Sequence, residues 1–214
     1  MNVIAINGSP RKTWNTATLL QNALDGAAAQ GADTELVHLY DLDFKGCTSC
    51  LACKKVGGKS EGRCAMRDAI SPLLARIENE ADAVILGSPI YFGNVSGEMR
   101  SFMERLLFAP FVYSQPPSFR FPRKLRCGML YTMNVTEIVA HERYQSLFAT
   151  NETVLGNLFG SCETFHCYDT RQMEDYSQVV MGYMDPVHKL ERHAEVFPAD
   201  CQRAFEFGVR LTQG

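Results

Sequence analysis

Four cysteines fall within eighteen residues, ordered Cys47-x2-Cys50-x2-Cys53 and then Cys64. Two-residue gaps let one loop turn three thiolates toward one centre, as an iron–sulfur cluster requires, with Cys64 as the fourth ligand. Ten residues, 54–63, separate Cys53 from Cys64. Three chemistries compete for this loop: a [4Fe–4S] cluster, free or redox-active thiols, and a structural zinc site. Zinc fits least well, because the second Cys-x-x-Cys pair of the usual pattern is missing. The remaining cysteines are scattered, and Cys127, Cys162 and Cys167 sit in or beside apolar runs, where a thiol is usually a small buried hydrophobe.

A second constellation opens the chain. Val3-Ile4-Ala5-Ile6 breaks into Asn7-Gly8-Ser9-Pro10-Arg11-Lys12-Thr13-Trp14-Asn15-Thr16, and a helical pattern follows. A strand feeding such a loop presents free backbone N–H groups and the positive end of a helix dipole, which together bind phosphate. Ser9, Asn15 and Thr16 can donate to phosphate oxygens, and Arg11 or Lys12 can add charge. The loop has neither G-x-x-x-x-G-K-[ST] nor G-x-G-x-x-G, which argues against a nucleoside-triphosphate cradle and a dinucleotide loop. The plain alternative is an ordinary strand-to-helix turn capped by Asn15 or Thr16.

The third constellation is Gly87-Ser88-Pro89-Ile90-Tyr91-Phe92-Gly93-Asn94-Val95-Ser96. Adjacent aromatics on a strand-to-helix loop suit a flat ring system, since aromatic faces contribute about 1 kcal/mol beyond burial. Gly93 permits close backbone approach, and Asn94 and Ser96 offer polar groups to ring carbonyls and nitrogens. A hydrophobic staple onto the next helix is the structural alternative.

The elements that position these loops alternate. Strands are expected at 3–6, 35–39, 83–87, 127–132 and 163–167, with helices at 16–30, 70–77, 97–108 and 141–158 between them. Ala83-Val84-Ile85-Leu86-Gly87 is a continuous apolar run of the kind buried on both faces of a parallel sheet. The tail, 184–214, reads as a helix broken at Pro198. The expectation is one α/β domain over 1–214, a doubly wound five-stranded parallel sheet with helices on both faces. A cysteine-rich loop (42–67) and a Pro-rich excursion (109–124) extend from it. Ligands of such sheets bind beyond the carboxyl ends of the strands, where the three constellations converge.

Taken together, Gly8-Ser9-Pro10-Arg11 with Asn15-Thr16, the cysteine loop, Ala81-Asp82, and Gly87-Ser88-Pro89-Ile90-Tyr91-Phe92 resemble the flavodoxin-like NAD(P)H-dependent FMN reductase family, including its iron–sulfur flavoprotein branch. The resemblance spans roughly 1–180, and Asp169-Thr170 through Asp175-Tyr176-Ser177 looks like a segment its members carry after the last strand. It implies a flavodoxin-like fold with FMN held by its phosphate at Ser9, Arg11, Asn15 and Thr16. The isoalloxazine would lie against Pro89, Ile90, Tyr91, Phe92, Gly93 and Asn94, with Thr132, Met133 and Asn134 closing another side. NAD(P)H would be the electron donor and a flavin, quinone or similar small molecule the acceptor. Two other readings stand beside this one: an electron-transfer iron–sulfur flavoprotein fed by a ferredoxin, and a non-enzymatic thiol redox sensor. No catalytic side chain is assigned, because cofactor chemistry of this kind asks the protein for orientation and not for a base.

Composition narrows the partners. At 46% hydrophobic and 21% charged, the chain is ordinary globular material with enough apolar residues for a substantial core. A net charge of −3 gives no basic footprint for nucleic acid and no polybasic patch for a membrane. The expected setting is cytoplasmic. A homodimer or higher homo-oligomer is expected, in which Phe108, Phe111, Val112 and Tyr113 cover a partner's cofactor.

Overall fold

A computed structural model describes residues 1–180 and 182–213; Gly214, the end of the expected tail, lies outside them. In chain order the elements begin with β1 (Asn2–Asn7), α1 (Asn15–Ala28), β2 (Asp33–His38), α2 (Ser71–Asn79) and β3 (Ala83–Tyr91). Then come β4 (Asn94–Val95), α3 (Gly97–Phe108), β5 (Phe111–Val112), β6 (Ser118–Phe119) and β7 (Leu125–Thr132). The chain continues through α4 (Glu137–Phe159), β8 (Gly160–Cys167), α5 (Pro186–Glu195) and α6 (Phe197–Thr212).

Five strands form a parallel sheet in the order β2-β1-β3-β7-β8, the doubly wound arrangement expected from the alternation and the flavodoxin-like fold that the resemblance implies. Alternate residues of β1 and β3 face opposite layers, so both strands read as unbroken apolar runs. Ile4, Ile6, Val84 and Leu86 pack against α2, α3 and α4 through Ile77, Met99, Phe102 and Leu155. Val3, Ala5, Ala83 and Ile85 pack against α1 and α6 through Leu19, Leu20, Ala204 and Phe207. The α1–α6 contact is backbone to backbone. A Cβ on Gly26 would stand 2.0 Å from the Phe205 carbonyl oxygen, and one on Gly208 would stand 1.7 Å from that of Ala23. The helix carrying the amino-terminal loop is therefore seated by the last helix of the chain.

Three expectations need correcting. The stretch 88–96 is not one loop: β3 runs on to Tyr91 and turns back antiparallel into β4, pairing Ile90 with Val95. The tail breaks at Val196 and not at Pro198, because the proline sits in the first turn of α6, where its missing N–H costs no helical bond. Cys162 lies on the edge strand β8 and is only partly buried, unlike Cys127 and Cys167. The Pro-rich excursion folds into the small β5–β6 hairpin, with Phe111 and Phe119 edge to face at 5.4 Å. Among the described residues no helix is long and apolar enough to cross a membrane.

Candidate functional site

The carboxyl ends of β1, β3 and β7 open onto a cleft of about 350 Å³. The first loop is fixed from below. Buried Asn7 accepts from the Ser9 N–H at 2.9 Å through Oδ1 and meets His38 Nδ1 at 2.9 Å through Nδ2. The Gly8 N–H donates to the Gly87 carbonyl at 2.8 Å, and Ser96 Oγ donates to the Gly8 carbonyl at 2.5 Å. A side chain on Gly8 would meet Met99 Cβ at 2.7 Å, so the turn needs glycine for space. Trp14, and neither Asn15 nor Thr16, occupies the cap position of α1, and it makes no side-chain capping bond. The first N–H groups of α1 therefore keep the orphan character that suits an anion. Thr16 Oγ1 lies 2.8 Å from Thr132 Oγ1, joining this loop to the end of β7.

Ten of the residues assigned from sequence line the cleft: Ser9, Arg11, Asn15, Thr16, Pro89, Ile90, Tyr91, Thr132, Met133 and Asn134. Phe92, Gly93 and Asn94 do not. They form the outer tip of the β3–β4 turn, where Phe92 has φ +48° and its whole side chain is exposed. Asn94 is also exposed, and its Oδ1 accepts from the Val95 N–H at 2.9 Å. Ser96 is the cap of α3, accepting from the Met99 N–H at 3.3 Å, so its hydroxyl serves the fold.

Sequence reasoning did not assign roles in the cleft to Trp14, Thr170, Arg171, Gln172, Met173 and Val179, which line its remaining wall. The segment after β8 crosses back over the first loop. Asn15 Nδ2 donates to the Arg171 carbonyl at 2.8 Å, and the Arg11 guanidinium donates to that of Gln172. Two of the four side chains assigned to phosphate, Arg11 and Asn15, are thus engaged with backbone carbonyls. The Arg11 and Arg171 guanidiniums lie 4.6 and 5.3 Å from the Trp14 ring centroid. Thr170 Oγ1 donates to the Met133 carbonyl at 3.1 Å, and buried Lys189 of α5 holds Asp169 and the Asn134 carbonyl. The available signal was position, since this segment follows the carboxyl end of the last strand.

The four clustered cysteines line one small cavity with Met66, Glu104, Arg105 and Phe108. Cys53 is buried, Cys47 and Cys64 are partly buried, and Cys50 is exposed. The ten-residue spacer closes on itself: the Gly62 N–H donates to the Cys53 carbonyl at 2.9 Å, returning the chain to its starting point before Cys64. Burial pushes the Cys53 thiol up, and the same desolvation pulls the neighbouring Lys54 ammonium down. Among the described residues no three metal-binding side chains gather closely enough to hold a single ion. A polynuclear cluster distributes its thiolates over several iron atoms, so its ligands need not converge on one point.

Residues 1–126 match the family model described as NADPH-dependent FMN reductase. The chain belongs to this family. An iron-sulfur flavoprotein of Methanocaldococcus jannaschii is 41% identical over 105 residues, 49% of this chain and 51% of that protein. An iron-sulfur flavoprotein of Archaeoglobus fulgidus is 39% identical over 105 residues, 49% of this chain and 48% of that protein. The chain spans about half the length of the curated relatives it matches. A solved NAD(P)H:quinone oxidoreductase from Methanothermobacter marburgensis has a TM-score of 0.71 at 14% identity, covering 99% of this chain and 98% of its own. That likeness is one of fold.

The cleft fits the cofactor named by the FMN reductase family. Its phosphate end combines a helix N-terminus without a side-chain cap with the Ser9 and Thr16 hydroxyls. Its other end offers the Pro89–Tyr91 strand end and Met133 as apolar walls. The cysteine cavity fits a cluster in donor chemistry, with four thiols around one small enclosed space.

Proposed function

We propose that this protein is an FMN-dependent oxidoreductase that draws electrons from NAD(P)H and delivers them to a small-molecule acceptor such as a flavin or quinone. The observation that carries the reading is the meeting, in one cleft, of the uncapped α1 N-terminus with the Pro89–Tyr91 strand end and Thr132. FMN, when bound, supplies hydride acceptance and stepwise electron release. The chain does the rest. The N–H groups of α1, Ser9 and Thr16 hold a phosphate without needing a full counter-charge. Pro89, Ile90 and Tyr91 support one side of a planar ring. The segment 170–173, pinned by Asn15 and Arg11, walls the cleft on the far side and limits water. Exposed Phe92 and Tyr113 leave apolar surface for a second copy of the chain, so the working form in this reading is a homodimer or a higher homo-oligomer.

A second reading is favoured by the return of Cys64 to Cys53: the cysteine cavity carries a [4Fe–4S] cluster, and the chain passes electrons between it and the flavin. One preparation tests both. Anaerobically purified protein is expected to show flavin absorbance with one FMN per chain and to oxidise NADH or NADPH in the presence of a quinone. Protein that retains no flavin after reconstitution with FMN would sink the main reading. FMN at full occupancy with no bound iron would remove the second. A strictly monomeric holoprotein by light scattering at micromolar concentration would count against the assembly.

A further inference from the structure

Arg105 is the chain's most completely buried cation, with no side-chain exposure, and it is engaged by both ends of the cysteine loop. Its Nη1 donates to the Lys45 carbonyl at 2.9 Å, two residues before Cys47. Nη1 and Nη2 donate to the two carboxylate oxygens of Asp68 at 2.7 and 3.2 Å, four residues after Cys64. Asp68 is held in turn by Ser71, whose Oγ donates to Asp68 Oδ1 at 3.2 Å. The planar fork of a guanidinium is suited to such a bidentate bond, and Lys would not reproduce it. Three of its five N–H groups are used in this way, and of its three nitrogens only Nε, which is buried, has no nitrogen or oxygen partner. Arg105 lines the cavity shared by the four thiols, and it is close enough to Cys64 for a charge on that sulfur to act on the guanidinium.

Burying a guanidinium is costly unless each of its donors is satisfied. Asp68 and Lys45 account for the two terminal nitrogens. Nε is left without a nitrogen or oxygen acceptor from the protein, and the Cys64 sulfur is the one other acceptor beside the guanidinium that acts on it. We propose that Arg105 is the positioning residue of the cysteine centre: it clamps the two ends of the loop that carries the thiols and keeps Nε–H for a sulfur acceptor of the bound cluster. The second half of this proposal rests on the iron–sulfur reading above, whereas the clamp stands without it. A cation beside a cluster favours its more negative, reduced form, so Arg105 raises the reduction potential. Groups around a metal site that orient its ligands commonly govern metal affinity by 10–100-fold.

The test uses the full chain, with Arg105→Met, Arg105→Lys and the double variant Arg105→Met/Asp68→Asn, which leaves no stranded carboxylate if the first variant fails to fold. Bound FMN serves as the folding control. Tryptic cleavage after Lys54, Lys55 and Lys59 in metal-free protein is expected to quicken roughly tenfold or more in both methionine variants. After reconstitution with iron and sulfide, iron affinity is expected to fall roughly 10–100-fold. The midpoint of whatever cluster remains should shift to more negative potential. Arg105→Lys should keep the midpoint near that of the parent while still losing iron, because it retains charge without the fork. Cleavage, iron content and midpoint all matching the parent would overturn the proposal while leaving the cluster reading intact. A parent protein that takes up no iron would overturn the sulfur-acceptor half together with that reading. Accelerated cleavage in the methionine variants would then still support the clamp.

Discussion

The cleft proposed for the flavin and the cysteine centre lie on one chain but are held together differently. In the cleft the positioning groups are mostly backbone and neutral: the Gly8 N–H on the Gly87 carbonyl, Ser96 on the Gly8 carbonyl, and Thr16 against Thr132. The sheet supplies the geometry, and the side chains refine it. At the cysteine centre the loop between β2 and α2 carries no strand at all, and its shape depends on two cations, buried Arg105 and half-buried Lys54. Arg105 joins its ends, and Lys54 donates to the carbonyls of Phe108, Ala109 and Phe111 beyond the C-terminus of α3. A site on strand ends inherits rigidity from the fold. A site on a loop has to be assembled from side-chain bonds, each of which can be removed singly.

That contrast can be broken by substitution. The largest effect is expected from Cys64→Ser, which should abolish stable iron incorporation after anaerobic reconstitution while FMN stoichiometry stays at the parent value. Loss of both together, measured by absorbance and iron assay on one sample, would show that the regions are not independent. A smaller effect concerns acid. His166 on β8 is stacked between Tyr131 and Tyr168, and desolvation, followed by the charge of His141, lowers its pKa to about 4. Between an ordinary histidine value near 6.5 and about 4, the unfolded chain binds a proton that the folded chain refuses, so stability falls as pH falls through that window. The loss is on the order of 3 kcal/mol and arises beneath the end of β7, which carries Thr132, and the segment after β8, which carries Thr170. Asp68 behaves differently, because the hydrogen bond from Arg105 holds its carboxyl below the usual range. Its contribution is complete above the ordinary carboxylate pKa and is lost only as pH falls through its depressed one. Flavin release should therefore begin at higher pH than tryptic opening of the cysteine loop in the apoprotein, and His166→Phe should flatten the acid slope of thermal unfolding. The smallest effect is Lys54→Met, expected to cost about 1 kcal/mol of global stability by denaturant titration while leaving FMN affinity unchanged.

Much of this was readable before any coordinates. The continuous apolar runs at 3–6 and 83–87 could only be strands buried on both faces, and the loops following them had to share an edge. Ser9 and Thr16 followed from that topology together with the donor chemistry of their side chains, whereas Pro89 and Thr132 came from the family resemblance. Phe92 and Asn94 lie outside the cleft because β3 continues past a Ser-Pro pair into a tight turn, which looks, residue by residue, like a loop. Arg11 and Asn15 line the cleft as expected, but their partners lie more than 150 residues away, and no local pattern encodes such a bond. Arg171 and Arg105 were invisible for the same reason. A lone arginine in a helix or after a strand has no spacing signature until its partners are folded around it.

The bond from the Gly62 N–H to the Cys53 carbonyl bears on how ligand motifs are written. Residues 55–60 form a short excursion, entered and left near the same point, so a change in its length need not move the thiols. A consensus expressed as residue counts between cysteines would treat this chain as a poor match. Expressed as distances across a hydrogen-bonded neck, the same chain needs no allowance. Evolution can lengthen, recharge or decorate that excursion as a surface feature while the four cysteines at its base stay in place.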